Sequence, residues 1–179
     1  WTESPHNPIL PHNAIEPGGL MKFNGCYYMN GQGGNVGSKR ALVTYMSYDF
    51  DHWTDAVAVG LRRDVPPYEQ LPGPHAGEQV HLGAGLWNRG NVIIGVYGAW
   101  HGESNDRAFV SMDLGLVVSN DGLQFAEPIP DFQLVSAYEV DRRHHAHPQP
   151  CLEQGQGFEN VGDETLFWYG PWRGGFICV

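Results

Sequence analysis

Three stretches of the chain share one order of hydrophobic and polar positions. An apolar run leads into a turn that contains glycine, and a run of aromatic or β-branched residues follows and ends in another glycine. The stretches are EPGGLMKFNGCYYMNG, HLGAGLWNRGNVIIGVYG and EQGQGFENVGDETLFWYG, with turn glycines Gly25, Gly90 and Gly162. Because short glycine turns between such runs predict β-hairpins, each stretch is expected to form two antiparallel strands.

A second pattern follows the first two hairpins. The segments RALVTYMSYDFDHWTD and DLGLVVSNDGLQFAEP each hold a strand-like run, a Ser-x-Asp triplet and then an aromatic residue. One unit therefore contains four strands and repeats after about 65 residues, which is typical of propeller blades. The predicted fold class is all-β, with β-propeller blades of four antiparallel strands. A plain antiparallel sandwich is the alternative.

The repeat places about two and a half blades in a single partial propeller domain that spans residues 1–179. Blade 1 is expected at about 12–60, blade 2 at about 78–135 and a partial blade 3 at about 148–179. Two and a half blades cannot close a ring, and exposed strand edges recruit partners. We therefore expect a homo-oligomer or a place within a longer chain.

Composition agrees with an all-β globular protein and narrows its ligands. The 24 glycines and 13 prolines leave few windows long enough for a helix. The net charge of −10 argues against nucleic-acid and anionic-membrane partners, which need a positive surface. A neutral carbohydrate ligand fits this charge. The three cysteines lack metal-type spacing and imply no disulfide framework, so the compartment stays open.

The same step along the three hairpins selects three polar residues. Glu16, His81 and Glu153 each lie nine residues before the turn glycine. Strands of equal length would place them at the start of each blade's first strand, and first strands line the axis of a propeller. We therefore expect the three side chains to face one channel. Asp113, at the start of the third strand of the second unit, is expected near the same face.

The loops that would surround this channel are rich in aromatic and polar residues. Aromatic faces stack on sugar rings, and a pair of carboxylates can cleave a glycosidic bond, since one protonates the leaving oxygen while the other activates water or attacks. The catalytic candidates are Glu16, Glu153 and Asp113. The substrate-binding candidates are His81, Trp100, His101, Arg107, His145, Trp172 and Arg173.

Each catalytic candidate also has an ordinary structural interpretation. Glu16 can be a solvated strand end, Glu153 a loop residue, and Asp113 a partner of Arg107. No metal site is predicted, because the histidines before blade 3 lack partner ligands at a defined spacing. Four aromatic residues at repeat positions are expected in the core: Trp53, Phe125, Phe167 and Trp168.

Two of these motifs are similar to those of a known family. IEPGGLMKFNGCYYM resembles the hairpin that carries the general acid in five-bladed propeller glycoside hydrolases of the arabinanase and β-xylosidase type, and Glu16 falls on the acid. SYDFDHWTD and SNDGLQFAEP look like the Ser-x-Asp signature that these enzymes share with fructosidase-like propellers. The resemblance implies five blades and hydrolysis of a glycosidic bond by carboxylate acid/base catalysis. It leaves open a Ca²⁺ ion in the central channel and implies no other cofactor.

The sequence departs from this family in ways that define an alternative function. Pro17-Gly18 replaces Gly-Pro, His81 stands where the family has an aspartate, and the blade that carries the base has no counterpart. The alternative is a non-catalytic sugar-binding or structural propeller segment that self-assembles. The isolated chain is not expected to be an efficient hydrolase.

Overall fold

The chain is all-β, as the repeated hairpins predict. In a computed structural model, the described residues form three antiparallel sheets of four, four and two strands. The structure describes residues 2–7, 15–36, 39–55, 58–63, 79–102, 110–142 and 149–172. Within these ranges the one α-helix has four residues, and no helix is long and apolar enough to cross a membrane.

Each sheet runs in chain order from its first strand outward. The first sheet contains β1 (Glu16–Phe23), β2 (Cys26–Val36), β3 (Lys39–Ser47) and β4 (Ala58–Leu61). The second contains β5 (Gln79–Asn88), β6 (Ile93–His101), β7 (Ser111–Ser119) and β8 (Gln133–Val135), after which comes α1 (Ala137–Val140). The third contains β9 (Leu152–Val161) and β10 (Glu164–Pro171). The first two sheets therefore have the four antiparallel strands that the repeat predicts for one unit, and the third has two.

The first strands of the three sheets pack side by side. β5 lies against both β1 and β9, and their backbones approach so closely that side chains are excluded. A Cβ atom on Gly18 would overlap the carbonyl oxygen of Leu82, and one on Gly85 would lie 2.7 Å from the carbonyl oxygen of Gly155. Gly18 of the first hairpin and Gly85 of the second are therefore explained by backbone contact between neighbouring sheets.

Each of these first hairpins also has an irregular register near the start of its first strand. The pairing shifts between Pro17 and Gly19 in β1 and between His81 and Ala84 in β5. In the third sheet, it shifts where Phe158 and Gln154 face β10. Such bulges bend a strand and redirect the side chains beside them. A bulge therefore separates the start of each first strand from the regular pairing that follows, and it changes the direction in which the side chains at the start point.

Side-chain amides satisfy the backbone groups that the bulges leave unpaired. Asn30 on β2 is fully buried, and its amide donates to the carbonyl of Ala84 at 3.1 Å and accepts from the Ala84 N–H at 2.8 Å. Gln154 on β9 donates to the carbonyls of His81 and Gly83 at 3.1 and 3.0 Å. Because buried backbone groups require partners, these two amides join neighbouring sheets at the level of the bulges.

We expect Asn30→Ala to lower the free energy of unfolding by about 2–4 kcal/mol, because it leaves the N–H and C=O of Ala84 unpaired. Chemical denaturation followed by intrinsic fluorescence measures the loss. Asn91→Ala is the control, since Asn91 is exposed in the β5–β6 turn, and its change should stay within about 0.5 kcal/mol. Equal stabilities of the two variants would contradict the bridging role of Asn30.

The two Ser-x-Asp segments form the same turn after β3 and β7. Ser47 and Ser119 accept hydrogen bonds from the backbone N–H three residues on, both at 2.9 Å. Asp49 and Asp121 accept from backbone N–H groups on the far side of each turn. Backbone N–H and side-chain bonds centred on His52 hold the pKa of Asp49 well below its usual range. These residues are structural, as their repetition suggests.

The hydrophobic core lies between the sheets in separate clusters. Phe23, Leu42 and Tyr97 pack between the first and second sheets, and Val96 and Leu152 pack between the second and third. The aromatic residues predicted for the core divide between buried and exposed positions. Phe125 is buried, Trp53 and Phe167 are partly buried, and Trp168 is 57% exposed.

The prediction of a buried Trp168 is wrong because of the face on which it lies. Phe167 packs toward the second sheet, whereas Trp168 lies on the other face of β10. Leu166 lies on the same face as Trp168 and is 42% exposed. Among the described residues nothing covers this face. A second copy of the chain, or further residues of a longer one, would cover this exposed face. That expectation stays a prediction.

Candidate functional site

A buried histidine lies at the centre of the polar cluster where the three first strands begin. His81 on β5 is 5% exposed, and both of its ring nitrogens have partners. Nδ1 lies 2.9 Å from Nη1 of Arg40 on β3, and Nε2 lies 3.3 Å from Oε1 of Glu153 on β9. His81 therefore connects a side chain of the first sheet to one of the third.

Two tryptophans enclose this imidazole ring. The Trp172 ring stacks on it with centroids 5.0 Å apart and an interplanar angle of 14°, and the Trp100 ring lies 5.3 Å away in a tilted contact. The guanidinium of Arg40 lies 4.8 Å from the centroid of Trp100, a cation–π contact. Trp100 is 1% exposed. Trp100 therefore packs against both His81 and Arg40 from the buried side of the cluster. Trp172 is the more accessible of the two rings.

Arg40 also links this cluster to the carboxylate that the sequence places first. Burial lowers the pKa of Arg40, and the negative charge of Glu16 partly opposes that effect, so the two groups lie within electrostatic range. The backbone N–H of Arg40 donates to Oε1 of Gln79 at 3.2 Å, which holds the start of β3 against β5. The cluster of His81 on β5 and Glu153 on β9 thus extends to the first sheet, through Arg40 on β3 and Glu16 on β1.

In the part of the site that the structure describes, the accessible charged groups are two carboxylates and one guanidinium. Glu16 is exposed at the start of β1, and the Glu153 side chain is 35% exposed. The Arg40 side chain is half-buried, whereas the His81 side chain is only 7% exposed. The three residues at the same step before the turn glycine therefore differ in exposure. Glu16 and Glu153 are accessible acids, whereas His81 is buried and connects Glu153 to Arg40.

The structure gives Asp113 a set of partners that does not include this cluster. One carboxylate oxygen accepts from the backbone N–H of Ala137 at 2.7 Å, and the other lies 2.9 Å from Nε2 of Gln133 and 3.0 Å from Nε2 of His101. Asp113 is 3% exposed. It thus holds the start of α1 and strand β8 against β7, which is the geometry of an anchoring residue. His101 lies with it and keeps a 27% exposed side chain.

Three predicted binding residues, Arg107, His145 and Arg173, lie outside the described residues. So do the loop histidines that raise the question of a metal. In the part of the chain that the structure describes, no group of three or more His, Cys, Asp or Glu side chains could hold a metal ion. The Ca²⁺ ion that the family resemblance leaves open stays untested.

Sequence reasoning missed Arg40, Gln79 and Gln154. Arg40 stands before an apolar strand, where a charge is usually solvated, and only the approach of β5 gives it a buried partner. Gln79 and Gln154 are each one or two residues from a candidate, His81 or Glu153. The amide of Gln79 accepts from the backbone N–H of Arg40, and that of Gln154 donates to carbonyls at the bulge of β5, which no sequence pattern revealed.

No protein-family model and no curated protein matches this chain. The fold and site therefore define its class in structural terms. It is an all-β protein whose described residues form antiparallel sheets of four, four and two strands, with a cluster of charged and aromatic side chains where the first strands begin. The resemblance to propeller glycoside hydrolases remains a prediction.

Proposed function

We propose that this protein is carbohydrate-active and that its site binds a neutral glycoside at Glu16 and Glu153. One observation carries the proposal: these two accessible carboxylates belong to one network, since His81 binds Glu153 and Arg40 binds His81 while interacting with the charge of Glu16. Carboxylates and a guanidinium offer acceptors and donors to sugar hydroxyls. The partly exposed ring of Trp172 offers an apolar surface beside them.

The charge of the site favours neutral sugars over acidic ones. Among the described residues of the site, two carboxylates accompany one guanidinium, that of Arg40, and the whole chain carries a net charge of −10. Like charges at close range repel, most strongly where the groups are partly desolvated. A uronic acid would therefore bind less well than the corresponding neutral sugar.

The reaction that suits this arrangement is hydrolysis of a glycosidic bond. In such reactions one carboxyl group protonates the leaving oxygen and a second carboxylate activates water or attacks the sugar. The resemblance assigns the first role to Glu16, and the position of Glu153 in the network suits the second. Because the base-bearing blade of the family has no counterpart, turnover by the isolated chain is expected to be slow.

Sugar binding without catalysis is the second candidate. It is favoured by His81, which stands where the family has an aspartate and is buried with both nitrogens engaged. A buried, fully bonded imidazole supports neighbouring groups but does not itself reach a substrate. The two candidates therefore share a ligand and differ only in turnover.

Calorimetric titration and hydrolysis assays on the same samples separate these candidates. We expect neutral arabinan- and xylan-derived oligosaccharides to bind, with Glu16→Gln and Glu153→Gln each weakening binding by about tenfold, the value of a charge-assisted hydrogen bond. Glu164→Gln is the matched control, since Glu164 is exposed beside the β9–β10 turn.

Hydrolysis of aryl glycosides that falls about a hundredfold or more in Glu16→Gln would support acid catalysis. Binding without turnover would support the second candidate. The proposal is overturned if no neutral oligosaccharide binds, or if Glu164→Gln weakens binding as much as the two site variants do.

A further inference from the structure

We propose that Arg40 and His81 form a relay that positions the Glu153 carboxylate, in which Arg40 donates to Nδ1 of His81 and Nε2–H of His81 donates to Glu153. The proposal rests on the proposed function only for what Glu153 does with a ligand. The relay itself is a statement about hydrogen-bond direction, and it can be tested on the protein alone.

The direction of the relay follows from the chemistry of arginine. A guanidinium has five N–H donors and no acceptor, so at 2.9 Å from Nη1 of Arg40 the Nδ1 atom of His81 must accept. An accepting Nδ1 carries a lone pair, so the ring is neutral and holds its proton on Nε2. That proton points at Oε1 of Glu153, 3.3 Å away. The arrangement thus has one consistent tautomer.

The imidazole ring is held on its faces as well as at its nitrogens. Trp172 stacks on it at 5.0 Å, and Trp100 packs against it at 5.3 Å. Arg40 is held in turn, because its guanidinium lies over Trp100 and its backbone N–H binds Gln79. Rotation of the ring would break both hydrogen bonds, so the direction of the Nε2–H group is fixed by the fold.

Only one of the two carboxylate oxygens of Glu153 has a hydrogen-bond partner among the described residues. Its Oε1 atom binds His81, and no other hydrogen bond reaches this carboxylate from the described residues. The neighbouring Gln154 donates to the backbone carbonyl of His81 at 3.1 Å, which fixes β9 beside the ring. With the side chain 35% exposed, the relay leaves Oε2 available and restricts where it points.

Restricting Glu153 matters because a free glutamate samples several rotamers, and binding to one of them costs side-chain entropy. A carboxylate already held in one orientation loses less on binding a ligand. Arg40 and His81 are therefore positioning residues, and they act on the ligand through Glu153.

The tautomer of His81 in the full chain tests the relay directly. Long-range ¹H–¹⁵N correlation spectra distinguish a protonated from an unprotonated ring nitrogen. The chain has nine histidines, so the His81 signals are assigned by their loss in His81→Gln. We expect protonated Nε2 and unprotonated Nδ1 at neutral pH, and Arg40→Met should add the other tautomer or the doubly protonated ring. A proton on Nδ1 in the unaltered protein would overturn the relay.

A matched pair of substitutions tests its effect on Glu153. Glutamine places an amide donor near the position of Nε2, whereas asparagine reaches only the position of Nδ1. We therefore expect His81→Gln to bind neutral oligosaccharide about tenfold more tightly than His81→Asn. Adding Glu153→Gln should abolish that difference, which general damage to the fold would not do. Circular dichroism confirms that both variants are folded.

Equal binding by folded His81→Gln and His81→Asn would overturn the relay. If no oligosaccharide binds to any variant, the proposed function fails, and the ring tautomer still decides whether the relay exists. The two ideas can therefore fail separately.

Discussion

Gly18→Ala is expected to lower the free energy of unfolding by more than about 3 kcal/mol, or to prevent folding. The added Cβ would overlap the carbonyl oxygen of Leu82 in the neighbouring first strand, which is backbone and cannot rotate away. β1 and β5 would have to separate, and the packing of Phe23 and Tyr97 between the sheets would loosen with them. The effect is large because it acts on the contact between sheets.

Chemical denaturation of Gly18→Ala and Gly170→Ala, followed by circular dichroism, measures this effect. Gly170 on β10 is the control because no atom lies within 4 Å of an added Cβ and its backbone has no left-handed conformation. It should change stability by no more than about 0.5 kcal/mol in either direction. A Gly18→Ala variant as stable as this control would contradict the close approach of the first strands.

Asp113→Ala is expected to be nearly as damaging, with a loss of about 3–5 kcal/mol in the free energy of unfolding. Its carboxylate accepts from the backbone N–H of Ala137, which is fully buried, and from Nε2 of Gln133, and it lies 3.0 Å from Nε2 of His101. Ser136 makes no side-chain cap at the start of α1, so Asp113 serves that helix terminus from another strand. Removing it leaves donors without an acceptor and opens a cavity.

Asp113→Asn separates the anchoring role from a need for charge. Its oxygen can still accept from Ala137 N–H, so the loss should be about 1–2 kcal/mol. Asp163→Ala in the exposed β9–β10 turn should stay within about 0.5 kcal/mol. Thermal unfolding of the three variants ranks them. An Asp113→Ala protein of unchanged stability would show that the interactions of this carboxylate add nothing.

Local sequence determined the hairpins and turns because each depends on residues close together in the chain. The Asn24-Gly25 turn has both residues at positive φ, 49° and 83°, as that pair predicts. The two Ser-x-Asp segments form the same turn, although the residue at its left-handed position differs. Phe50 occupies that position in the first turn, with φ 75°, and Gly122 occupies it in the second, with φ 77°. Repetition of these signals was enough to indicate four-stranded units.

Counting back from the turn glycines found Glu16, His81 and Glu153, although the bulges make the strands unequal in detail. All three bulges fall after the polar residue in their strands, and the structure brings His81 within 3.3 Å of Glu153. The count gave no information on burial. That His81 and Trp100 lie inside and Glu16 and Glu153 are accessible depends on how neighbouring sheets pack.

The sequence by itself determined that this chain forms repeated antiparallel strands, because alternation, turn residues and glycines act over a few positions. Only the tertiary structure decided that Arg40 joins His81 and Glu153, since these residues come from three different sheets. It also decided that Trp168 is exposed and that Asp113 anchors α1. The physical reason is that burial and hydrogen-bond partners are set by contacts between sheets, and residues far apart in the chain make those contacts.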